Sequence, residues 1–287
     1  MILSPIEQSI KRKIEAVGTP LKDWDINIYR GVLTGYNEAF IISTERRNEI
    51  LANCQTEDER RRTDELIRPI LRGRDIRRYS YDWANLWLIW VPWHFPLHRD
   101  NSIQGASEKA EKAFREQYPA VYNHLLQYKE QLAARNKAET GIRYEWYALQ
   151  RWGANYWEDF LMQKISWASV GPTYFSNIPA GILLLDTNYF FASSNPDYLH
   201  IVLNSKLITW WINSEDTPIG GGGAYRHYKY NLQRLCIPRH IDDLEHLDLK
   251  DYSDPAKYDG IVFKAYGLTD AEIAFIDNSF NDSVDEE

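Results

Sequence analysis

Residues 56–93 read TEDERRRTDELIRPILRGRDIRRYSYDWANLWLIWVPW, and this stretch holds a helix signal and a strand signal close together. Thr56 and Glu59 have the spacing of a capping box, and Pro69 predicts that the helix ends before it. Trp87–Trp93 is a short apolar run closed by Pro92, which is typical of a buried strand. The stretch therefore favours a fold that mixes helices and strands.

The same mixture extends towards both ends of the chain. A helix is predicted at 5–17, where Ile6, Ile10 and Ile14 share one face. The other predicted elements are strands at 24–28, 39–42, 164–169 and 181–192, a helical stretch at 107–137 that Pro119 starts or kinks, a helix capped by Asn195 with an apolar face reaching Trp211, and a C-terminal helix opened by Thr269 and Glu272. Without βαβ regularity, this order predicts an α+β fold, rich in strands, with packed helices and no Rossmann domain.

Composition limits the class of protein. The chain has 287 residues, with 11 Trp and 19 Tyr, and such side chains suit interfaces as well as cores. No apolar run approaches the roughly 18 residues of a membrane helix, and the N-terminal residues have the reverse charge order of a secretory signal. Two cysteines are too few for a disulfide framework. We expect a cytoplasmic protein with no membrane partner.

Negative charge is concentrated at one end of the chain. The net charge is −8, but residues 240–287 contain 14 Asp and Glu against 3 Lys and Arg, so residues 1–239 carry 30 basic against 27 acidic groups. We expect residues 1–239 to form the main domain and residues 240–287 to form an acidic helical segment packed on it, frayed from about residue 281. A mildly basic body permits DNA binding without requiring it.

No candidate catalytic motif has the neighbouring residues that its chemistry requires. Asn195–Tyr198 (NPDY) resembles the base-holding loop of DNA methyltransferases but has the wrong third residue. Gly220–Gly223 precedes a polar aromatic stretch instead of the helix that a cofactor-binding glycine loop opens. Pro96 between His94 and His98 disfavours the helix that a zinc-binding pair requires. The sequence therefore predicts no catalytic residue, no metal ligand and no cofactor in this chain.

Three short segments have the residue types that contact DNA. The first is RPILRGRDIRRY, in which the candidates are Arg72, Arg74, Arg77, Arg78 and Tyr79. Arginine suits bidentate contact with phosphates and guanine edges, and Gly73 allows a sharp turn. A solvated surface with Asp75 as an ion-pair partner would explain the same residues.

The second and third segments are weaker. AYRHYKY, from Ala224 to Tyr230, interleaves charge and rings, with Arg226, Tyr228 and Lys229 as candidates; a surface hairpin is the alternative. The loop at 34–37 offers Thr34, Tyr36 and Asn37 for contacts with bases, although turn formation alone explains it equally well.

These segments occur in an order that resembles the TaqI-like C-terminal specificity domain, the target recognition domain of N6-adenine DNA methyltransferases and fused type II restriction–modification enzymes. The matching segments are PLKDWD (20–25), GVLTGYNEAF (31–40), PILRGRDIRRY (69–79), WYALQ (146–150), LNSK (203–206), GGGAYRHYKYNLQRLCIP (221–238) and YGLTDAEI (266–273). One departure is Leu235-Cys236, where the family usually has Leu-Pro. The methyltransferase half of such enzymes is missing from this sequence.

The resemblance implies a module that recognises a specific sequence of double-stranded DNA. Its expected partners are the DNA and an N-terminal methyltransferase domain or subunit, which would flip out the adenine and use S-adenosylmethionine. The basic segments at 72–78 and 226–229 are expected to converge on one positive groove. Two other functions remain open, an aromatic-rich module that binds carbohydrate or protein and a small nuclease.

Overall fold

The computed structural model describes residues 3–220 and 222–281. Its helices span Pro5–Val17, Asn37–Phe40, Thr44–Ala52, Glu57–Leu66, Glu108–Gln117, Pro119–Leu126, Lys129–Ala133, Pro196–Leu203, Lys206–Glu215, Lys229–Arg234, Pro255–Ala265 and Asp270–Asn281, with 3₁₀ turns at Leu21–Asp23, Gly73–Asp75, Trp157–Leu161 and Asp242–Leu244. Helices and mixed sheets occur along the whole described chain, so the predicted α+β class is confirmed.

The strands form four small sheets. In spatial order these are Thr19–Pro20 with Cys236–Ile237; Tyr29–Arg30, Asn188–Ala192, Lys164–Ala168 and Ser176–Ile178; Thr217–Ile219, Ala224–Arg226 and Val170–Gly171; and Ile41–Ser43, Leu86–Ile89, Ile67–Leu71 and Leu183–Leu184. Among these named strands, Ile67–Leu71 and Leu183–Leu184 form the one parallel pair. No helix of the described residues is both long and apolar enough to cross a bilayer.

The second of these sheets separates two hydrophobic cores. Successive side chains of a strand point to opposite faces, and Phe190 accordingly packs in one core while Phe191 packs in the other. The core on the Phe190 side is built from the Ile67–Leu71 sheet and the helices between residues 37 and 133. On the Phe191 side, the N-terminal helix packs with the helices from residue 196 onwards.

Residues 240–281 contribute to the second core. Tyr258, Val262 and Phe263 of helix Pro255–Ala265 are buried there, as is Ile276 of the last helix. Buried Glu272 accepts hydrogen bonds from Ser9 and from Lys13 of the N-terminal helix. Burial raises the pKa of Glu272, but hydrogen bonds from Lys13, Thr269 and Ser9 outweigh it and lower this pKa to about 2. The division at residue 240 stays a prediction, and the expected fraying falls mainly on residues outside the described ones.

Three predicted strands are wrong in detail. Residues 24–28 alternate in burial but have no neighbouring strand to pair with, and a short strand follows at Tyr29–Arg30. Residues 39–40 end a helix before strand Ile41–Ser43 begins. The run at 181–192 is two strands, Leu183–Leu184 and Asn188–Ala192, because the chain turns between them and they join different sheets.

Two helical predictions need correction. The stretch at 107–137 forms three helices, and Pro119 begins the second of them, where its missing N–H costs nothing. The helix after Asn195 begins at Pro196 as predicted, but the Asn195 side chain makes no capping hydrogen bond. Its apolar face continues into a separate helix, Lys206–Glu215, which Ser205 caps.

Lys164 lies fully buried in strand Lys164–Ala168 of the sheet between the two cores, here called the central sheet. Three carbonyl oxygens surround its ammonium group. Its Nζ donates to Phe160 O at 2.8 Å, Met162 O at 2.9 Å and Pro179 O at 3.3 Å. Burial lowers the pKa of Lys164 to about 7. The unfolded chain keeps this proton up to a pKa of about 10.4, so the unfolded state binds more protons than the folded state between these two values.

We therefore expect the free energy of unfolding to rise with pH above 7, by about 2 kcal/mol between pH 7 and 9 from this group. The measurement is urea unfolding at both pH values, compared with Lys164→Met. The variant should lose this pH-dependent increment whatever its absolute stability. An identical pH dependence in both proteins would contradict the assignment.

Candidate nucleic-acid interface

Two of the predicted segments leave the first core at one edge of a sheet. Strand Ile67–Leu71 runs parallel to Leu183–Leu184, and Val32 forms a parallel bridge to Leu185. The carboxyl ends of parallel strands meet at the same edge, so residues 34–37, 186–187 and 72–75 emerge side by side. Adjacent strands lie about 4.8 Å apart, so Val32 and Leu71, on either side of Leu183–Leu185, lie about 10 Å apart.

The turn at 72–75 is closed by an internal ion pair. Asp75 Oδ2 accepts from the Arg72 backbone N–H at 2.8 Å and from its Nε at 2.9 Å, and Oδ1 accepts from the second guanidinium nitrogen at 2.7 Å. The bond to Asp75 raises the pKa of Arg72. Arg72 therefore holds the turn together, and the turn leaves Arg74 exposed.

Gly73 lets this turn sit directly on the central sheet. Its N–H donates to Thr187 Oγ1 at 2.8 Å. A Cβ atom at this position would lie 2.9 Å from Thr187 O and 3.3 Å from the Ala168 methyl group. The turn can approach this closely because residue 73 has no side chain.

The second basic segment forms the middle strand of a three-stranded sheet. Ala224–Arg226 pairs with Thr217–Ile219 on one side and with Val170–Gly171 on the other, with Arg226 opposite Val170. The glycine-rich stretch is the turn of this hairpin, and Gly220 and Gly223 both have φ of +65°. The segment therefore has the surface-hairpin structure that was the alternative to a DNA contact. Arg226, at the end of its strand, and Lys229, at the start of the next helix, are both exposed.

Ser169 and Thr187 bring the two basic segments together. Ser169 N–H donates to Thr187 O at 2.7 Å, while Ser169 O accepts from the His227 N–H at 3.0 Å. Thr187 also holds Gly73 through its hydroxyl group, and the Gly73–Asp75 turn packs against Val170–Gly171. The segments at 72–75 and 224–229 therefore lie on the same side of the molecule.

A buried histidine anchors the hairpin. His227 Nδ1 lies 2.7 Å from Asp216 Oδ2, and its Nε2 lies 3.1 Å from Gly171 O. Asp216 Oδ1 also accepts from Asn231 Nδ2 at 2.7 Å and from the Tyr228 N–H at 3.3 Å. Because His227 points inwards, its neighbour Arg226 points outwards along the strand.

We expect His227→Ala to lower the free energy of unfolding by about 2 kcal/mol, since Asp216 and Gly171 O both lose the buried imidazole ring that lies within hydrogen-bond distance of them. Urea unfolding measures this, and amide exchange should quicken at residues 224–226. His240→Ala is the matched control, because His240 pairs with Asp242 in solvent. Equal stability of the two variants would show that the buried pair does not hold the hairpin.

The predicted arginines divide into partnered and unpartnered groups. Arg77 donates to Arg74 O at 2.7 Å and pairs with Asp82 at 2.8 Å. Arg78 donates to Asn204 O at 2.6 Å. Among the described residues, the charged groups of Arg74, Arg226 and Lys229 have no hydrogen-bond or ion-pair partner. Of the predicted DNA contacts, these three have the charged groups that are available to a ligand.

Tyr79 is held by the second core. Its ring stacks on Tyr252 with centroids 5.0 Å apart, and Arg78 Cζ lies 5.2 Å from the centroid of the Tyr79 ring. Burial raises the pKa of the Tyr79 hydroxyl, and its φ of +67° is rare for a residue with a side chain. Tyr79 thus fixes the chain after the basic turn, which is the structural role visible for it here.

The loop at 34–37 is a compact polar turn. Thr34 is buried; its Oγ1 donates to Asn37 Oδ1 at 2.6 Å and accepts from the Tyr36 N–H at 3.2 Å. Arg135 donates to Thr34 O from within the core, where burial lowers its pKa to about 10. Thr34 therefore shapes the loop, while Asn37 is exposed and the half-buried Tyr36 ring packs near Tyr128, with centroids 6.1 Å apart.

Two residues next to these segments carried no sequence signal. Arg30 is exposed, and its Nε donates to Asp186 O at 2.8 Å, at the turn between the two basic segments. Val170 is 45% exposed opposite Arg226, and an apolar side chain of this kind can contact a thymine methyl group. Each is isolated in the sequence, so its position next to the cations follows only from strand pairing.

Comparison with known proteins gives a likeness of fold. No family model matches the chain, and no curated protein matches its sequence. Among solved structures, the type IIL restriction–modification enzyme MmeI in complex with DNA aligns at a TM-score of 0.51 and 14% identity, covering 93% of this chain and 36% of that one. The type IIG restriction endonuclease BpuSI aligns at a TM-score of 0.43 and 13% identity, covering 92% and 28%.

The chain therefore spans about a third of the length of the solved proteins it matches. At this identity, the alignment with MmeI shows a shared fold over nearly the whole of this chain. The chain has the fold of one part of a restriction–modification enzyme.

Proposed function

We propose that this chain is the DNA recognition module of a restriction–modification adenine methyltransferase, and that it binds a specific sequence of double-stranded DNA. The observation that carries the proposal is the convergence of residues 72–75 and 224–229 on Ser169 and Thr187. It places the unpartnered cations of Arg74, Arg226 and Lys229 on one side of the molecule, although the chain as a whole is acidic. The fold shared with part of MmeI, a restriction–modification enzyme solved with DNA, supports the same function.

The residues divide into two roles under this proposal. Arg74, Arg226 and Lys229 bind phosphates and position the duplex, because phosphate contacts fix register without reading sequence. Tyr36 and Asn37 follow Val32 at the sheet edge from which residues 72–75 also emerge, and they are the candidates for contacts with base edges. Arg72, Arg77, Arg78 and Tyr79 act mainly by holding the basic turn in place, and Thr34 by shaping its loop.

The chemistry of methylation would belong to a partner. The Gly220–Gly223 stretch joins two antiparallel strands, so it does not open a helix as a loop for S-adenosylmethionine would. No group of three or more potential metal ligands occurs among the described residues. We therefore assign cofactor binding and base flipping to a methyltransferase domain or subunit.

Duplex binding at increasing salt tests the proposal. A fluorescein-labelled duplex should bind at low salt, and the affinity should fall about fortyfold between about 50 and 200 mM salt, because three bound phosphates release their counterions. Selection from a random-sequence duplex pool should then enrich one motif. Binding of the duplex that is insensitive to salt, or saturable binding of a neutral oligosaccharide instead, would favour the carbohydrate- or protein-binding alternative.

A further inference from the structure

A cleft lies at the Ile67 end of strand Ile67–Leu71, away from the basic turn at residues 72–75. It has a volume of about 660 Å³, and its lining includes three tryptophans, Trp90, Trp152 and Trp157, here called the tryptophan wall, and three arginines, Arg62, Arg68 and Arg99, here called the arginine wall. Arg68 belongs to the same basic run as Arg72 but precedes it by four residues, which is about 13 Å along an extended strand. The structure therefore separates Arg68 from the proposed duplex interface.

The tryptophan wall is a continuous set of rings. The Trp90 ring centroid lies 6.3 Å from that of Trp152 and 6.0 Å from that of Trp157, and Trp90 Nε1 donates to Trp152 O at 3.4 Å. None of the three rings is fully buried. The rings are tilted by 59° and 38° to Trp90, so each presents its own face, and a single ring face can stack a flat heteroaromatic group.

The arginine wall is positively charged with little compensation. Among the described residues, none of the three guanidinium groups has an ion-pair partner; Arg62 donates once, to Gln117 O at 3.0 Å. Glu65 is the one carboxylate that lines the cleft, and it lies 3.8 Å from Arg61, outside the lining. Three arginines against one acid favour an anionic ligand over a neutral sugar.

Two polar atoms at this cleft lack a partner. Arg62 Nε and His98 Nδ1 are buried, and neither has a hydrogen-bond partner in the described part of the chain. A buried polar atom without a partner costs free energy, so a ligand that bonds to it is favoured. Burial lowers the pKa of His98, so the ring is neutral at pH 7 and offers one donor and one acceptor.

We propose that this cleft binds a nucleotide, with the base stacked on the tryptophan wall and the phosphate held by Arg68 and Arg99. The combination of a flat aromatic group and a phosphate matches both walls, whereas a sugar or inorganic phosphate matches only one. The nucleotide can come from a free nucleoside phosphate or from an unpaired position in a DNA strand. The site is independent of the duplex interface.

Isothermal titration calorimetry with AMP, adenosine and inorganic phosphate tests the proposal. AMP should bind more tightly than either of the other two, because only AMP engages both walls. The double variant Arg68→Gln with Arg99→Gln should weaken AMP binding about tenfold or more, through loss of two charge-assisted bonds. Lys112→Gln is the control, since Lys112 lies outside the cleft on helix Glu108–Gln117 with its side chain 67% exposed, and it should bind AMP normally.

Three results would overturn the proposal: no AMP binding at millimolar concentration, equal binding of AMP and phosphate, or equal binding by the double variant and the control. A single-stranded tetranucleotide distinguishes the sources. Tighter binding of the tetranucleotide than of AMP assigns the site to an unpaired strand, and weaker binding assigns it to a free nucleotide. Duplex affinity should not change in the double variant, so failure here is separable from failure of the proposed function.

Discussion

Replacing Arg74, Arg226 and Lys229 together by alanine is expected to weaken duplex binding about a hundredfold at 0.15 M salt and to reduce the salt slope of log K by about 3. These are the three predicted DNA contacts whose charged groups have no partner among the described residues. Each lost phosphate contact removes about one released counterion from the binding equilibrium. Fluorescence anisotropy over a range of salt concentrations measures both quantities.

The control for this variant has the same change in net charge at another place. Arg61, Lys109 and Lys112 are exposed on helices Glu57–Leu66 and Glu108–Gln117, with side chains 64%, 76% and 67% accessible. Their triple replacement by alanine should leave the salt slope close to that of the wild type. Equal losses in the two triple variants would mean that overall charge, and not the interface, governs binding.

Asp75→Ala is expected to lower the free energy of unfolding by about 3 kcal/mol, because it leaves the half-buried Arg72 guanidinium group without its partner. Asp75 is 4% exposed, and its carboxylate accepts three hydrogen bonds from Arg72 across the turn. Loss of the turn should also displace Arg74 and weaken duplex binding. Chemical denaturation and anisotropy on the same variant measure the two effects.

The Arg77–Asp82 pair provides an internal comparison, with Asp82 seven residues after Asp75. Its side chains are 47% and 69% exposed, and exposed ion pairs contribute about 0–1 kcal/mol. Asp82→Ala should therefore change stability little. If Asp75→Ala and Asp82→Ala proved equally mild, the turn at 72–75 would not depend on its internal ion pair, and the proposed role of Arg72 as a holding residue would be wrong.

Local signals in the sequence determined the fold class and several element boundaries. Thr56 does cap helix Glu57–Leu66 by accepting from the Glu59 N–H, although the Glu59 carboxylate accepts from Gln55 N–H instead of closing the capping box. Thr269 and Glu272 make the complete capping box at the last helix. These motifs act within one turn of chain, so a few residues suffice to specify them. Strand Ile67–Leu71 was missed because Pro69 suggested a break. The strand tolerates Pro69 because pairing with Leu86–Ile89 ends there and pairing with Leu183–Leu184 begins one residue later.

The sequence also named the residue types of the interface, because arginine next to glycine or tyrosine is a local pattern. Only the tertiary structure decided which charges remain available, since that depends on contacts between residues far apart in the chain: Arg78 reaches Asn204 O, whereas Arg226 lies opposite Val170. The tertiary structure likewise separated Arg68 from Arg72, because a strand carries residues of one basic run to opposite ends of a sheet. Composition fixes how many cations the chain has, and long-range pairing fixes where they stand.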